Sequence, residues 1–362
     1  MLLSLALLGF VLPDNSCGQT DPVNRDDGPY VIYKNGRILV YEIEARGETL
    51  KLKKEGHDES GRHKILLKVQ TDEIGKFFRF PLQKDLADQA SVYPEPSKLF
   101  ILSDIEANFT ALRKLLVEGH VIDSNFNWTF GDGHLVLTGD FVDRGNQQSE
   151  VLWLIYSLED KAKAAGGYVH YILGNHEIMN LSGDIRYLQP KYHDVAELME
   201  TSYTYLIGPN SEIGRWLRTK NVVEQIGNML FTHGGISSSI NGLRLPVDTI
   251  NQLCRPYYSD SLYHYADPRQ DTLYGDQGPF WFRGYYKSTT GHESSVIDST
   301  LSLYKVEHIA TGHTIISDTI SVLYDHKLFN TDVHHAGGFS EALLKENGHF
   351  YRVVKGEKKW LF

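Results

Sequence analysis

The sequence predicts an α/β fold in which the strands of a mainly parallel sheet alternate with helices. From residue 98 onward, apolar runs typical of buried strands, at 99–102, 135–137 and 169–173, alternate with stretches of helical pattern. Alternation at the spacing of one crossover indicates βαβ units. Polar residues follow directly after these runs, at the edge of the sheet where open α/β folds bind their ligands.

The composition is that of a folded protein. Hydrophobic residues make up 41% and charged residues 23% of the 362-residue chain. The length predicts one large α/β domain with a small appendage. The formal net charge of −10 disfavours nucleic acid as a partner, because binding to its phosphate backbone needs a basic surface.

The N-terminus predicts an export signal. Residues 2–12 form an apolar run that is too short to span a bilayer and is typical of a signal peptide. Ser16-Cys17-Gly18 follows where a bacterial lipoprotein carries its lipidated cysteine. We therefore expect a signal at 1–17 and a polar tether at 18–29. The protein is then exported in a bacterium, either periplasmic or anchored to the membrane through lipidated Cys17.

A small β-rich module is predicted at residues 30–90. Runs of β-forming residues occur at 30–33, 38–41, 65–69 and 77–80, and Asn35-Gly36 is a strong hairpin signal. The module is expected to be antiparallel, and either a structural brace or a partner-binding unit. Residues 91–97 read as a linker, and residues 98–362 as the catalytic domain.

The catalytic domain continues with helices predicted at 107–118 and 149–165. One crossover separates Asp104 from Asp140 and another separates Asp140 from Asn175, so the three residues end successive strands and converge on one point. Residues 189–220 form a polar helical insertion that we expect near the site. A hairpin around Gly227-Asn228 then leads to His233.

The segment GDFVDRG at 139–145 is the centre of the predicted site. Asp140 can bridge two metal ions, Asp143 can orient a neighbouring imidazole, and Arg144 offers a planar set of donors that matches a phosphate. Three further segments also follow apolar runs: GNHE at 174–177, THGG at 232–235 and TGH at 311–313. The combination is far more specific than any one segment.

These segments, in this order, resemble the phosphoprotein-phosphatase branch of the calcineurin-like metallophosphoesterases over residues 98–338. The segment GPFWFRGY at 278–285 resembles the corresponding part of the bacterial, Shewanella-like type. The resemblance implies a four-layer αββα sandwich, here with the small N-terminal antiparallel β module. It also implies hydrolysis of phosphomonoesters by direct attack of a water bound to two metal ions.

The resemblance implies a set of metal ligands. Asp140 would bridge two divalent ions, Asn175, His233 and His313 would hold the second ion, and Asp104 the first. We expect Mn²⁺, with Fe, Zn, Mg or Ca as alternatives.

It also implies the catalytic groups. His176, backed by Asp143, would protonate the leaving oxygen, and Arg144 and Arg283 would stabilise the charge on the phosphoryl group. The residues expected to contact the substrate are Arg144, Arg283, Asn175 and Tyr285.

The first motif departs from the family pattern. The family has Asp-x-His, whereas this chain has Asp104-Ile105-Glu106. We expect Glu106 to be a metal ligand that favours harder ions at the first site. Asp332 and the segment 335–338 resemble the part of the family that follows the last ligand, and are expected to approach the site.

Aromatic residues are concentrated between positions 257 and 286. They either form a wall that stacks on an aromatic leaving group or pack a long loop onto the sheet, and the second interpretation is favoured. The aromatic residues concerned are Tyr257, Tyr258, Tyr263, Tyr265, Tyr274, Phe280, Trp281, Phe282, Tyr285 and Tyr286.

The sequence therefore predicts a metal-dependent phosphatase that acts on a phosphoprotein or a small phosphomonoester. A phosphodiesterase or nucleotide hydrolase of the same fold is one alternative. A catalytically silent metal-binding module is another, and the change at Glu106 is the one sequence feature in its favour.

Overall fold

The computed structural model describes residues 26–47, 49–261, 265–287 and 291–362. The predicted signal at 1–17, with Cys17, lies outside the described residues, as does most of the tether at 18–29. Within these ranges, no helix combines the length and the apolar character that a bilayer span requires.

The strands are, in chain order, β1 Asp27–Lys34, β2 Arg37–Arg46, β3 Thr49–Asp58, β4 Leu66–Gln70, β5 Phe77–Pro81, β6 Val92–Tyr93, β7 Lys98–Leu102, β8 His134–Leu137, β9 Tyr168–Tyr171, β10 Val223–Ile226, β11 Met229–Thr232, β12 His308–Thr311, β13 Ser321–Leu323, β14 Leu328–Asn330, β15 Glu341–Glu346, β16 His349–Val354 and β17 Glu357–Trp360. The helices are α1 Phe109–Glu118, α2 Gln148–Ala164, α3 Asn175–Ser182, α4 Pro190–Leu198, α5 Tyr203–Leu206, α6 Glu212–Leu217, α7 Ser238–Leu243, α8 Val247–Cys254, α9 Pro268–Tyr274, α10 Gly284–Lys287 and α11 Glu293–Tyr304.

Two six-stranded sheets form the centre of the fold. Their strand orders are β17-β16-β15-β7-β8-β9 and β13-β14-β12-β11-β10-β6. The predicted parallel pairing is present, because β7, β8 and β9 run parallel to one another in the first sheet. In the second sheet β11, β12 and β14 are parallel, and β10 and β11 form the predicted hairpin around Gly227-Asn228.

The alternation of side chains along β7 shows how the layers stack. Leu99 and Ile101 face the second sheet, in a core that includes Phe231 of β11, whereas Phe100 and Leu102 face the other way, towards α1 and α2. Helix α11 covers the outer face of the second sheet. The molecule is therefore the predicted αββα sandwich.

Helix α1 begins two residues later than the sequence predicts. Glu106 and Ala107 have left-handed backbone angles, with φ of 50° and 54°, so they cannot belong to a right-handed helix. Asn108 caps the helix instead, its side-chain oxygen accepting the N–H of Ala111 at 3.0 Å.

The N-terminal module has two parts, a three-stranded antiparallel sheet of β1, β2 and β3 and the hairpin of β4 and β5. Strand β3 was not predicted, because half of the residues in its sequence TLKLKKEGHD are charged and its side chains are mostly exposed. The sheet of β1, β2 and β3 is bound closely to the catalytic domain. The Tyr33 hydroxyl donates to Glu212 of α6 at 2.5 Å, and the indole N–H of Trp153 in α2 donates to the Pro29 carbonyl at 2.8 Å.

Candidate metal centre

The carboxyl ends of strands from both sheets meet at one edge of the sandwich and carry the predicted site residues. Asp104, Asp140 and Asn175 follow β7, β8 and β9 in the first sheet. His233 and His313 follow β11 and β12 in the second sheet. The parallel registers bring these ends together, so residues more than 200 positions apart in the chain become neighbours.

Three buried side chains form a group that fits a metal ion. One ligand atom from each of Asp140, His233 and His313 lies within 4.8 Å of the others. The Nε2 atom of His233 is 3.1 Å from Asp140 Oδ2 and 3.1 Å from Asn175 Oδ1. Because His233 Nδ1 donates to the Thr138 carbonyl at 2.8 Å, Nε2 is the ring nitrogen that could bind a metal ion.

Further carboxylates lie beside this group. Both oxygens of buried Asp104 accept the backbone N–H of His313, at 3.2 and 3.1 Å. Asp332 is 4% exposed, and its Oδ1 has no hydrogen-bond partner among the residues that the structure describes. Burial and the nearby Asp104 and Glu106 carboxylates raise the pKa of Asp332 well above its usual range. A buried oxygen without a partner, among other anionic groups, is what a divalent cation would satisfy.

Electrostatic coupling shifts the pKa values of the ligand group. Burial raises the pKa of Asp104 to about 7. Burial also acts against ionisation of Asp140, but the neighbouring imidazoles of His233 and His176 outweigh it and hold its pKa below the usual range. Burial opposes protonation of His233, but the Asp140 and Asp104 carboxylates raise its pKa to about 10. In His313, burial and His233 lower the pKa to about 2.

Glu106 lies at the site and contacts Arg144, and its role as a metal ligand stays a prediction. Its carboxylate forms an ion pair with Arg144, and its backbone N–H donates to the Asp140 carbonyl at 2.9 Å. It is not part of the close group formed by Asp140, His233 and His313. The structure thus links Glu106 through its side chain to the arginine that was predicted to bind phosphate, and through its backbone to Asp140.

His176 and Asp143 are arranged as a general acid and its orienting carboxylate. His176 Nδ1 lies 2.8 Å from Asp143 Oδ2, and both side chains are buried. Burial lowers the pKa of His176, but the Asp140 and Asp143 carboxylates outweigh it, so the pKa is raised. His176 Nε2 lies 3.2 Å from the Arg144 guanidinium and 3.9 Å from Asp140 Oδ2. Asp143 thus orients the imidazole and favours its protonated form.

Arg283 borders the metal group on the side of His313. Its guanidinium donates to the His313 carbonyl and, at 3.1 Å, to the Thr314 hydroxyl. Burial lowers the pKa of Arg283, although the Asp104 and Asp140 carboxylates act in the opposite direction. Arg144 and Arg283 thus supply positive charge from the first and second sheets respectively.

The prediction that Tyr285 contacts the substrate needs correction. Tyr285 is 2% exposed, and its hydroxyl donates to the Ile236 carbonyl at 2.9 Å. Its ring fills the space beside Gly235, where an added Cβ would lie 2.7 Å from it. Tyr285 therefore supports the turn after His233 and is shielded from any substrate.

Most of the aromatic segment that contains Tyr285 is also packed inside the protein. Tyr258, Tyr274 and Phe280 are buried in the main core, and Phe282 packs beside Tyr285. Tyr263 lies outside the described residues. This packing agrees with the interpretation favoured from the sequence, in which the aromatic rings fix a long loop onto the sheet.

Backbone strain is concentrated at the site. Residues with φ between 50° and 67° in the left-handed region include Asp104, Glu106, Asp140, Asp143, Arg144 and His313. Residues other than glycine rarely adopt this backbone conformation, and it persists where contacts with the surrounding structure hold it. Gly174 also has no room for a side chain, because an added Cβ would lie 2.2 Å from Asp140 Oδ1.

The sequence analysis missed two residues that hold the site in place. The buried Glu177 carboxylate accepts the backbone N–H groups of Asp140, Phe141 and Gly174, at 2.9, 2.8 and 2.7 Å. The place of Glu177 within the GNHE segment could have indicated that it belongs to the site. The side-chain oxygen of Gln148 accepts the backbone N–H of Asp143 at 2.9 Å, and nothing in the sequence indicated this contact.

Comparisons with known proteins agree on one family. A family model described as calcineurin-like phosphoesterase matches residues 97–317. Shewanella-like protein phosphatase 1 of Plasmodium berghei is 27% identical over 225 residues, which cover 60% of this chain and 61% of that protein. Shewanella-like protein phosphatase 2 of Arabidopsis thaliana is 23% identical over 297 residues, covering 69% and 74% respectively.

A solved structure is similar over almost the whole chain. The crystal structure of a cold-active protein-tyrosine phosphatase from a psychrophilic Shewanella species has a TM-score of 0.83 and 34% sequence identity. The similarity covers 93% of this chain and 99% of that one, and therefore includes the N-terminal module as well as the sandwich.

Proposed function

This chain belongs to the calcineurin-like phosphoesterase family and is a metal-dependent phosphatase, and we propose that it hydrolyses phosphomonoesters by direct attack of water, without a covalent intermediate. The observation that carries the proposal is the meeting of Asp140, His233 and His313 at the ends of strands from two sheets. His176 lies directly beside them, with its backbone N–H donating to Asp140 Oδ1 at 3.0 Å.

The ligand set that we propose is Asp104, Glu106 and Asp140 for one ion and Asp140, Asn175, His233 and His313 for the other. When bound, two divalent ions lower the pKa of a shared water and polarise the phosphoryl oxygens. The mixture of carboxylate, amide and imidazole donors suits first-row and hard divalent cations. We propose Mn²⁺, because the Glu106 carboxylate is a harder donor than the histidine it replaces, and Fe, Zn, Mg and Ca are the alternatives to test.

The side chains around the ligands divide the remaining work. His176 holds a proton on Nε2 and donates it to the leaving oxygen, while Asp143 keeps the imidazole charged and oriented. Arg144 and Arg283 neutralise the charge that develops on the phosphoryl oxygens. For Arg144 this requires sharing its guanidinium between Glu106 and the substrate, and its planar array of donors allows this.

For the substrate, we propose a phosphomonoester on a tyrosine side chain or on a small aromatic molecule. Support comes from the Shewanella neighbour, which is described as a protein-tyrosine phosphatase.

We also propose that the protein is exported and tethered through lipidated Cys17, on the basis of the apolar run at 2–12 and the Ser16-Cys17-Gly18 segment.

The test compares p-nitrophenyl phosphate with bis-p-nitrophenyl phosphate as substrates for the chelated protein. The protein is reloaded separately with Mn²⁺, Zn²⁺, Fe²⁺, Mg²⁺ and Ca²⁺. Turnover of the monoester restored by one metal supports the proposal and identifies the ion. Preferential turnover of the diester favours the phosphodiesterase alternative. Absence of turnover despite bound metal favours a silent binding module.

A further inference from the structure

One exposed aromatic side chain lies beside the general acid. The Tyr187 side chain is 44% exposed, and its ring centroid is 5.1 Å from that of His176. The two rings are inclined by 48°. Since His176 protonates the leaving oxygen in the proposed reaction, the group attached to that oxygen must emerge from the site next to Tyr187.

The position of Tyr187 is fixed relative to the phosphate-binding arginine. The backbone N–H of Arg144 donates to the Tyr187 carbonyl at 3.1 Å, and the Gln189 side chain donates to the Arg144 carbonyl at 2.5 Å. The Arg144 guanidinium carbon lies 5.6 Å from the centroid of the Tyr187 ring. The Tyr187 ring is therefore held beside the guanidinium that we propose binds the phosphate.

Other aromatic residues of the site are less suited to this contact. The Trp281 ring lies 6.0 Å from that of His313, on the side of the metal ligands rather than of the acid. Tyr285 is buried beneath the Gly235 turn. Among the described residues, Tyr187 thus combines exposure with contact to both His176 and Arg144.

We propose that Tyr187 determines specificity by stacking on an aromatic leaving group, so that the site prefers aryl phosphates such as phosphotyrosine to alkyl phosphates. The inference rests on the proposed phosphatase function. In the reaction, the water oxygen forms a bond to phosphorus while the bond from phosphorus to the phenolic oxygen breaks. The proton that the water releases replaces the one that His176 donates. The phenolic oxygen keeps the electron pair and takes the proton from His176 Nε2. The flat ring of the departing phenol can then lie against the ring of Tyr187.

The experiment compares phenyl phosphate with cyclohexyl phosphate as substrates for three variants, Tyr187→Ala, Tyr187→Leu and Tyr187→Phe. We expect Tyr187→Ala and Tyr187→Leu to lower kcat/KM for phenyl phosphate about tenfold, as loss of an aromatic side chain does where nucleobases stack on it. Cyclohexyl phosphate should lose less than about twofold, because a puckered ring stacks poorly. Tyr187→Phe should retain both activities. All three variants keep the backbone hydrogen bond to Arg144.

A matched control is Trp360→Ala, which removes an aromatic side chain that is 68% exposed on β17 and should change neither activity. Equal losses for both substrates with Tyr187→Ala would overturn the inference, since Tyr187 would then only position Arg144. Unchanged activity on phenyl phosphate would overturn it as well.

Calorimetric binding of phenylphosphonate and methylphosphonate to the metal-loaded protein separates this inference from the proposed function. A protein that binds phenylphosphonate about tenfold more weakly after Tyr187→Ala, with methylphosphonate unaffected, has the stacking site whether or not it turns over esters. If the wild-type protein hydrolyses no ester, the proposed function fails independently. Equal binding of phenylphosphonate by the wild type and Tyr187→Ala would overturn the stacking site itself.

Discussion

Asp140 and His176 lie side by side but have different tasks. The Asp140 side chain faces His233 and the other ligands, whereas the His176 imidazole is paired with Asp143 and faces Arg144. In the proposed function the first residue holds cations and the second moves a proton. Changes at the two positions should therefore separate metal binding from catalysis.

Asp140→Asn should abolish metal binding and turnover together, because it removes the charge shared by both proposed ions. His176→Ala should lower kcat by about 10²- to 10⁴-fold while the metal content is unchanged, as expected for loss of a general acid. Metal analysis by mass spectrometry together with steady-state kinetics checks both. The opposite pattern, with metal lost in His176→Ala and retained in Asp140→Asn, would reverse the assigned roles.

Glu106 stands where the sequence analysis expected a histidine ligand, and we propose that it is a ligand itself. If it is a ligand, Glu106→Ala should lower the metal content from two ions to one, and Glu106→His should restore two ions with a shift towards softer metals. Titration of each variant with Mn²⁺ and Zn²⁺ measures both effects. The proposal for Glu106 fails if Glu106→Ala and Glu106→His both keep full metal content and full activity, and its ion pair with Arg144 would then be its main role.

At the scale of elements, the helical insertion at 189–220 supports the site from behind. The Tyr192 hydroxyl accepts the backbone N–H of Gln148 at 2.5 Å, and the Tyr203 hydroxyl accepts from the Gln148 side chain. Gln148 in turn accepts the backbone N–H of Asp143. The start of α2 is thus the link through which α4 and α5 position the carboxylate that orients His176.

Gln148→Ala should lower kcat about tenfold with little change in KM, because Asp143 loses its support while the phosphate-binding groups remain. The pH at which activity falls on the alkaline side should also decrease, since a poorly aligned Asp143 stabilises the His176 imidazolium less. The pH profile of kcat measures this effect.

A control for that change is Gln225→Ala, on the hairpin of β10 and β11, where the side chain donates to the Gly227 carbonyl at 3.4 Å. Thermal unfolding of Gln148→Ala checks that the fold is retained. A rise in KM with kcat and its pH profile unchanged would contradict the positioning role of Gln148.

At the scale of the molecule, the N-terminal module and the catalytic domain share a buried group of charged side chains. Glu150 of α2 is 7% exposed, and Lys191 of α4 lies 3.5 Å from Asp27 of β1. Burial raises the pKa of Glu150 to about 7, with Lys191 lowering it and Asp27 and Asp72 raising it further. These contacts support the interpretation of the module as a structural brace.

The raised pKa of Glu150 predicts a pH-dependent contribution to stability. Its protonated form is favoured in the folded state, so the contribution is fully present below the ordinary pKa of 4.5 and is lost as the pH rises through about 7. Glu150→Gln carries no charge and should be more stable than the wild type at pH 8 by up to about 3 kcal/mol, with the difference vanishing near pH 4.

Urea unfolding of both proteins at pH 4, 6 and 8 measures this difference. Glu197→Gln, which changes an exposed glutamate on α4, serves as the control for removing a carboxylate. A free-energy difference between Glu150→Gln and the wild type that is the same at all three pH values would contradict the prediction.

Local patterns in the sequence predicted the parallel βαβ units and the polar residues at their ends, and the family resemblance implied the four-layer sandwich. Apolar runs that alternate with helical stretches determine βαβ units in any context, so the parallel order of β7, β8 and β9 followed from the sequence. The polar residues at the ends of those runs were predicted for the same reason. Asp140, His176, His233 and His313 are accordingly all found at one edge of the sandwich.

Only the tertiary structure decided which side chains face which. Glu106 pairs with Arg144, Tyr285 is buried beneath a turn, and Tyr187 lies beside His176. The sequence around each of these residues does not indicate its partner. These outcomes depend on left-handed backbone angles in the loops and on contacts between segments far apart in the chain. Local residue preferences contain no information about such contacts, because their energies arise only after the two sheets have packed.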